Sequence, residues 1–255
     1  MDAQSLLIDD PAGLARMPRP SMKDAIAEKL ASLIGSGVLA VGDSLPAERE
    51  LASAMGVSRE TIRGALLILS TRGILSVVQG ARTTVASDDV GDMALAAIPS
   101  RPVTSYELDD VHDARLLVEA RIAGLVAARP DPDLLARLGD LIEAQCEATD
   151  PVRFLILDRE FHTQIYRASG NAVLTDVATT LYSYLMDHRR RAVAQDGAIA
   201  RSIADHRAIL AALATGDGAG AAETFGIHER RIYETTRQLM ARAKTNDDIM
   251  GGDPK

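Results

Sequence analysis

The stretch Leu45–Leu66, LPAERELASAMGVSRETIRGAL, constrains the fold more than any other part of the chain. From Ala47, apolar residues at Leu51, Ala52 and Met55 recur at helical spacing. Gly56 then falls where a helix ends on a left-handed residue. Ser58 is placed to cap a second helix, and Glu60 lies in its first turn, where the helix dipole favours an acid. In that second helix Ile62, Leu66 and Leu69 form an inward stripe, while Arg59 and Arg63, one turn apart, are expected to point together into solvent. A short helix ending at glycine, then a capped helix with paired arginines near its start, is the pattern of a helix-turn-helix.

The flanking segments complete that unit. Ser21–Ser36 predicts an amphipathic helix with Met22, Ile26, Leu30, Leu33 and Ile34 on one side, and Val38–Leu45 a turn through Gly42-Asp43. Past Arg72-Gly73 the period changes. Leu75, Val77 and Val78, then Thr83 to Val85, are β-formers around Gln79-Gly80-Ala81-Arg82, a hairpin pattern.

This run resembles the N-terminal winged helix-turn-helix of GntR-type transcriptional regulators, whose usual pattern is LPSERELA, a short gap, then GVSRxTVREAL. The chain departs from it at Ala47, where a capping Ser is usual, and at Gly64, where Glu is usual. The missing cap is worth about 0.5–2 kcal/mol, and the glycine costs about 1 kcal/mol of helix propensity. Family members often carry Gly where Arg82 stands. The resemblance implies that Arg49, Ser58, Arg59, Thr61 and Arg63 contact operator bases and phosphates, with Gly80 and Arg82 at a wing against the minor groove. Arginines entering a major groove commonly pair with guanine, and a narrow minor groove attracts Arg. For Arg49 the competing reading is a surface ion pair with Glu48 or Glu50.

A net charge of −8 looks wrong for a nucleic-acid binder until it is divided. Residues 21–86 hold 7 Lys and Arg against 6 Asp and Glu, whereas residues 87–255 hold 19 against 27. The acidity belongs to the second part, and the first needs only local basic clusters. With 47% apolar and 25% charged residues, the composition is that of a globular protein. Cys146, the sole cysteine, permits no intrachain disulfide, so a cytoplasmic home is expected. Residues 1–20 lack the basic start and apolar core of a signal peptide. No apolar run approaches the roughly 18 residues of a membrane span.

The expected organisation is mainly α. It comprises a flexible arm over 1–20, the winged unit over 21–86, a linker with a short helix over 87–103, an all-α antiparallel bundle over 104–243 and a flexible tail over 244–255. Breakers at Pro130 and Pro132, Asp150-Pro151, Gly170-Asn171, Gly197 and Gly216-Asp217-Gly218 divide the bundle into helices near 104–129, 132–148, 152–169, 172–194, 198–215 and 217–243.

Four polar residues fall on apolar stripes of that bundle. Asp158 and His162, spaced i and i+4, share the stripe of Leu155, Ile165 and Ser169. His206 lies on the stripe of Ile203, Leu210 and Leu213, and His228 on that of Phe225, Ile232 and Leu239. One such histidine is usually a hydrogen-bonded core residue, and Asp-x-x-x-His can be a simple intrahelical pair. Four together alter the balance. Each buried polar group without a partner costs roughly 1–3 kcal/mol, and one divalent cation would satisfy them all. Zinc is the first candidate for a His3Asp set, with nickel or manganese as alternatives.

The resemblance extends here to the FCD ligand-binding domain of the FadR-type subfamily, through Asp158-Arg159-Glu160-Phe161-His162, Gly170-Asn171, Asp205-His206-Arg207-Ala208-Ile209-Leu210 and His228. It implies a metal held by Asp158, His162, His206 and His228, with a small organic acid bound beside it. Arg115, on the stripe of Leu108, Val111, Val118, Ile122 and Leu125, is the candidate for gripping the effector carboxylate. The bland alternative is a buried pair with Glu119. His112 and His188 read as ordinary surface or packing residues, and Arg189-Arg190-Arg191 as a solvated helix face.

The function expected is that of a homodimeric, metabolite-responsive repressor of palindromic double-stranded operators, acting without a membrane. A metal-dependent hydrolase fused to a DNA-binding module is the alternative, as is a regulator whose metal only staples the bundle. Against the hydrolase, no further carboxylate stands at motif spacing to act as general base.

Overall fold

The computed structural model describes residues 21–77, 82–90, 106–148, 150–184 and 186–250, with the backbone alone at 187, 188 and 243–250. The arm, the wing tip with Gly80, most of the linker and the His188 side chain lie outside the described residues. The chain separates into two compact units, Met1–Ser32 with Val41–Ala94 and Leu33–Ala40 with Leu95–Lys255.

In the winged unit α1 spans Met22–Gly35, α2 Glu48–Met55 and α3 Arg59–Thr71. Two short strands follow, β1 Leu75–Ser76 and β2 Thr84–Val85, antiparallel with Leu75 opposite Val85. Buried Ile26, Leu30, Leu51, Ile62, Leu66 and Leu69 supply apolar core, each contributing about 1.5–3 kcal/mol on full burial. Met22 departs from its expected inward place at 62% exposure, whereas Ala27 and Ala31, one turn apart further along α1, are buried. The segment before α2 does more than turn. Ser44 bridges Thr84, and the Leu45 amide donates to the Thr83 carbonyl at 2.8 Å, so β2 is bonded along both edges.

Gly56 ends α2 at φ 63°, its amide bonding back to the Ala52 and Ser53 carbonyls. Ala47 provides no side-chain cap, but Glu50 Oε2 accepts the Ala47 amide at 3.0 Å, which leaves half a capping box. Gly64 also has a physical reason. A Cβ there would meet Lys23 Cδ at 3.3 Å, so the missing side chain lets α1 cover α3 closely.

The second unit contains α4 (Leu108–Ala127), α5 (Pro132–Cys146), α6 (Pro151–Ala168), α7 (Ala172–Tyr182), α8 (Met186–Val193), α9 (Ala198–Ala214) and α10 (Gly218–Met250). The expected breakers all act. Asp131, Asp150 and Asn171 accept backbone amides as N-caps, with Pro132 and Pro151 starting α5 and α6. Two expectations needed correction. The helix predicted over 172–194 is two helices, so the described residues hold seven in this unit rather than six. No Gly or Pro marks the break. Thr180 and Ser183 turn their hydroxyls onto the carbonyls of Asp176 and Thr179, which competes with the backbone ladder. The last helix runs to Met250, past the expected end at 243, because the first strong breaker is the Gly251-Gly252 pair.

The core is built from α4, α5, α6, α7, α9 and α10, with Ile122, Leu138, Phe154, Phe161, Ile165 and Phe225 among its buried residues. α4 and α10 form the most extensive helix pair, and a Cβ on Gly218 would lie 3.0 Å from the Gly124 carbonyl oxygen. That close approach brings the inner faces of α4 and α10 together, which places Arg115 opposite Glu229.

Candidate metal centre and nucleic-acid interface

At the start of α3, the Ser58 hydroxyl accepts the Thr61 amide at 3.1 Å and lies 2.8 Å from the Thr61 hydroxyl. Arg49, Arg59 and Arg82 are exposed. Arg63 is exposed too, but it does not simply point into solvent: its Nη2 bonds Glu48 Oε2 at 3.0 Å. The ion pair considered for Arg49 is thus found at Arg63. That hydrogen bond holds the Glu48 carboxyl below its ordinary value, and Arg63 is correspondingly raised. Solvent screens an exposed pair of this kind, so its effect is to orient the guanidinium across the gap between α2 and α3.

In the bundle, α6 carries Asp158 and His162, α9 carries His206 and α10 carries His228, all fully or nearly fully buried. One ring nitrogen from each histidine lies within 4.8 Å of the other two. Asp158 Oδ1 stands 3.3 Å from His206 Nε2 and 4.0 Å from His162 Nε2. The outer nitrogens are already used. His206 Nδ1 lies 2.7 Å from Gln145 Oε1, and His228 Nδ1 lies 3.3 Å from Asp205 Oδ2. Those acceptors favour a proton on each Nδ1 and leave each Nε2 with its lone pair inward, as metal-binding histidines are usually oriented.

The inner nitrogens have no such partners: His206 Nε2, His228 Nε2 and both nitrogens of His162 are buried without a hydrogen bond. Unpartnered lone pairs converging beside a carboxylate fit a borderline divalent cation better than a merely packed core. Burial pushes His162 well below the ordinary histidine range and also lowers His228, against the pull of Asp205. Both are therefore neutral, as ligands must be. Burial alone would raise Asp158, but the close approach of His206, His162 and Arg189 holds it well below the carboxylate range. Tyr182 donates to Asp158 Oδ2, and Arg189 Nη2 does so at 3.2 Å.

Arg115 is buried and doubly paired. Its Nε donates to Glu119 Oε1 and its Nη2 to Glu229 Oε1, both at 2.9 Å. The expected Arg–Glu pair is therefore a triad. Burial raises the Glu229 carboxyl to about 8 against the pull of Arg115, with Glu119 reinforcing the rise. Glu119 and Glu229 also form a possible metal-binding group with His162.

Arg189 corrects the reading of its segment, because it is only 5% exposed, whereas Arg191 is exposed. Its Cζ sits 4.2 Å from the centre of the Tyr182 ring, in cation–π contact. His112 is half-buried and stacks on Tyr233 at 4.1 Å. Gln145, Asp205, Tyr182, Arg189 and Glu229 are the site residues that sequence reasoning missed. Of these only Gln145 left a clear signal, since it continues the α5 stripe of Leu134, Leu138 and Ile142.

A winged helix-turn-helix followed by a helical unit with a buried nitrogen–oxygen ligand set defines a class: one-chain regulators that join a DNA reader to a small-molecule sensor. The comparisons place the chain within it. The model for bacterial regulatory proteins of the gntR family matches residues 22–85, and that for the FCD domain matches residues 110–231. The chain is 29% identical over 213 residues to the HTH-type transcriptional regulator Mce2R of Mycobacterium tuberculosis, covering 82% of this chain and 88% of that one. It is 34% identical over 160 residues to the Glc operon transcriptional activator of Escherichia coli, covering 59% and 62%. Among solved structures, E. coli McbR/YncC shares the fold with a TM-score of 0.53 at 22% identity, over 86% of this chain and 99% of that one.

The chain belongs to the GntR family of DNA-binding transcriptional regulators and carries an FCD effector-binding domain. The family and these relatives are regulators, not enzymes, which removes the hydrolase alternative. No helix among the described residues is long and apolar enough to cross a membrane.

Proposed function

We infer that the protein is a cytoplasmic, homodimeric repressor whose grip on a palindromic operator is set by a small organic acid bound beside a divalent metal ion. The observation that carries the sensing half is the set of buried, unpartnered histidine nitrogens facing one another beside Asp158. Asp158, His162, His206 and His228 would hold the cation, zinc first and nickel or manganese next. When bound, it supplies an electrophilic point for a ligand oxygen. Gln145 and Asp205 hold two of the rings in place. Arg189, with one unpartnered Nη1, and Arg115, which lines the same small cavity between α4 and α10, are the guanidiniums that take an effector carboxylate.

The DNA half rests on Arg49, Ser58, Arg59, Thr61 and Arg63, with Gly80 and Arg82 at the wing. Dimerisation would set the spacing of two reading heads and hence the operator half-site spacing. The domain limits follow the same reading: winged unit 21–86, linker 87–103, sensing bundle 104–243. Effector and DNA then act through one equilibrium, so each changes the affinity of the other by the same factor.

The test is to load the full chain with Zn²⁺, Ni²⁺ or Mn²⁺ after chelation and to measure bound metal by mass spectrometry. Operator retardation is followed across a panel of small carboxylates. One metal per protomer, lost in His206→Ala and His228→Ala, with acid-dependent release of operator, is the expected result. Operator affinity identical across all metals and acids would refute the coupling. Outright unfolding on chelation with no acid response in the loaded protein would make the metal a staple only. Operator binding strengthened by the acid would reverse the sign of the coupling and make the acid a co-ligand of the bound state.

A further inference from the structure

The exposed face of α3 has a gap at its margin, and a cation lies across it. Along that helix Ile62, Ala65, Leu66 and Leu69 are buried, while Arg59, Glu60, Arg63 and Leu67 are exposed. Gly64, next to Arg63 and one turn past Glu60, sits at the edge of the exposed side. A Cβ there would lie 3.3 Å from Lys23 Cδ and 3.6 Å from Lys23 Cβ, so the Lys23 stem runs across the backbone of α3. Packing holds the stem, and the charged end of this exposed residue stays in water. No neighbour along α1 claims that charge. The positions three and four residues on hold Ile26 and Ala27, neither of them an acid. Asp24 turns back instead, accepting the Ser21 amide at 2.9 Å and the Ser21 hydroxyl at 2.6 Å. Among the described residues the Lys23 ammonium makes no hydrogen bond or ion pair.

We propose that Lys23 is a phosphate contact of the DNA-binding surface, seated on α3 in the space a Gly64 side chain would take. This contact rests on the DNA half of the function proposed above and adds a residue to it. Gly64 lies about 7.5 Å further along α3 than Arg59, five residues at the helical rise. A helix whose first turn meets base edges carries its later turns past the groove wall, where the sugar–phosphate chain runs. Lysine suits that place, as a point charge with three rotatable donors that needs no fixed fork geometry. With 7 basic against 6 acidic residues over 21–86, the winged unit must attract DNA through a few placed cations rather than through its total charge. The Glu usual at position 64 in the family would set a carboxylate beside this ammonium and engage it within the protein. Gly64 leaves it for the nucleic acid.

The test follows the affinity of the full chain across a salt series. The probes are a duplex that the unaltered chain selects from a random-sequence library and a scrambled duplex of the same base composition. Lys23→Met keeps an unbranched stem over Gly64 and removes the charge. It should flatten the log–log salt dependence by about 0.9 for each Lys23 on a phosphate, so the advantage of the unaltered chain shrinks about 3.5-fold between about 50 and 200 mM salt. Both duplexes should weaken alike, because a phosphate contact carries no sequence information, and the melting temperature should not move. Lys23→Arg should keep the slope. Lys29→Met removes an equal charge elsewhere on α1 and should leave the slope unchanged. Gly64→Glu makes the same test from the other side of the contact and should flatten the slope at least as much as Lys23→Met.

An unchanged slope in Lys23→Met overturns the inference. So does an equal drop in Lys29→Met, which would report net charge rather than a contact. Loss of preference for the selected duplex would make Lys23 a base reader and overturn the phosphate assignment. Arg59→Ala keeps the two readings apart. If it binds normally while Lys23→Met flattens the slope, the Lys23 contact stands and the role given to the α3 arginines falls. If it loses the duplex while Lys23→Met keeps the slope, α3 reads DNA without Lys23.

Discussion

Ser58 has two duties that a substitution would confound, because its hydroxyl caps α3 in the row expected to face DNA. Ser58→Ala should cost about 0.5–2 kcal/mol of stability through the lost cap, whatever it does to operator binding. Arg59→Ala separates the two. The side chain is exposed and caps nothing, so thermal melts should change by no more than about 0.5 kcal/mol, while retardation of operator DNA disappears. Normal retardation by that variant would remove Arg59 from the reading surface. At Arg63 the test is the partner: Glu48→Gln frees a guanidinium now held at 3.0 Å, and one added phosphate contact should steepen the salt dependence of DNA binding by about one unit. Deeper in the chain, Gln145→Leu should weaken metal affinity about 10–100-fold, read by chelator competition, because His206 loses the acceptor that orients it. Asp158, His162, His206 and His228 could be read from sequence because each interrupts an apolar stripe. Arg189 could not: it sits among three consecutive arginines, and only the packing against Tyr182 separates it from its exposed neighbour Arg191.

Among the helices, the divisions marked by Pro, Gly and capping Asp or Asn were all visible in advance, since those residues act through their own backbone. The break between α7 and α8 was not, because it is made by serine and threonine hydroxyls and by buried Tyr182 and Tyr184, whose hydroxyl partners are Asp158 and the Tyr106 carbonyl. The third partner of the Arg115 triad was hidden for a similar reason, as Glu229 lies 114 residues away in sequence. Two glycine substitutions probe the helix packing. Gly139 sits inside α5 with nothing within 4 Å of an added Cβ, so Gly139→Ala should stabilise by about 0.4–1 kcal/mol. Gly218→Ala should destabilise, because its Cβ would press on the Gly124 carbonyl oxygen at 3.0 Å, a backbone atom that cannot step aside. Opposite shifts in melting temperature are the expected outcome.

For the whole chain, stability should depend on both cation and pH. Zn²⁺ in excess should raise the melting temperature by mass action, and chelation should lower it. In the chelated protein, His162 and His228 are held below the ordinary 6.5 mainly by burial. The unfolded chain then binds more protons than the folded one below that value. Their contribution is therefore complete above pH 6.5 and is lost progressively as pH falls beneath it. Glu229, raised to about 8, has the opposite effect over the same range, so melting curves of a chelated Glu229→Gln variant between pH 5 and 7 read the histidines directly, and a flat profile would contradict their contribution. Three histidines drawn from α6, α9 and α10 face one another beside Asp158, while α10 also lines the neighbouring cavity. A cation seated there would fasten three helices before any metabolite arrives, and the metabolite would then meet a wall already half assembled. On the function proposed above, such a molecule would act as a coincidence detector: starved of either input it would stay in one condition, and only a cell supplied with both would move it to the other.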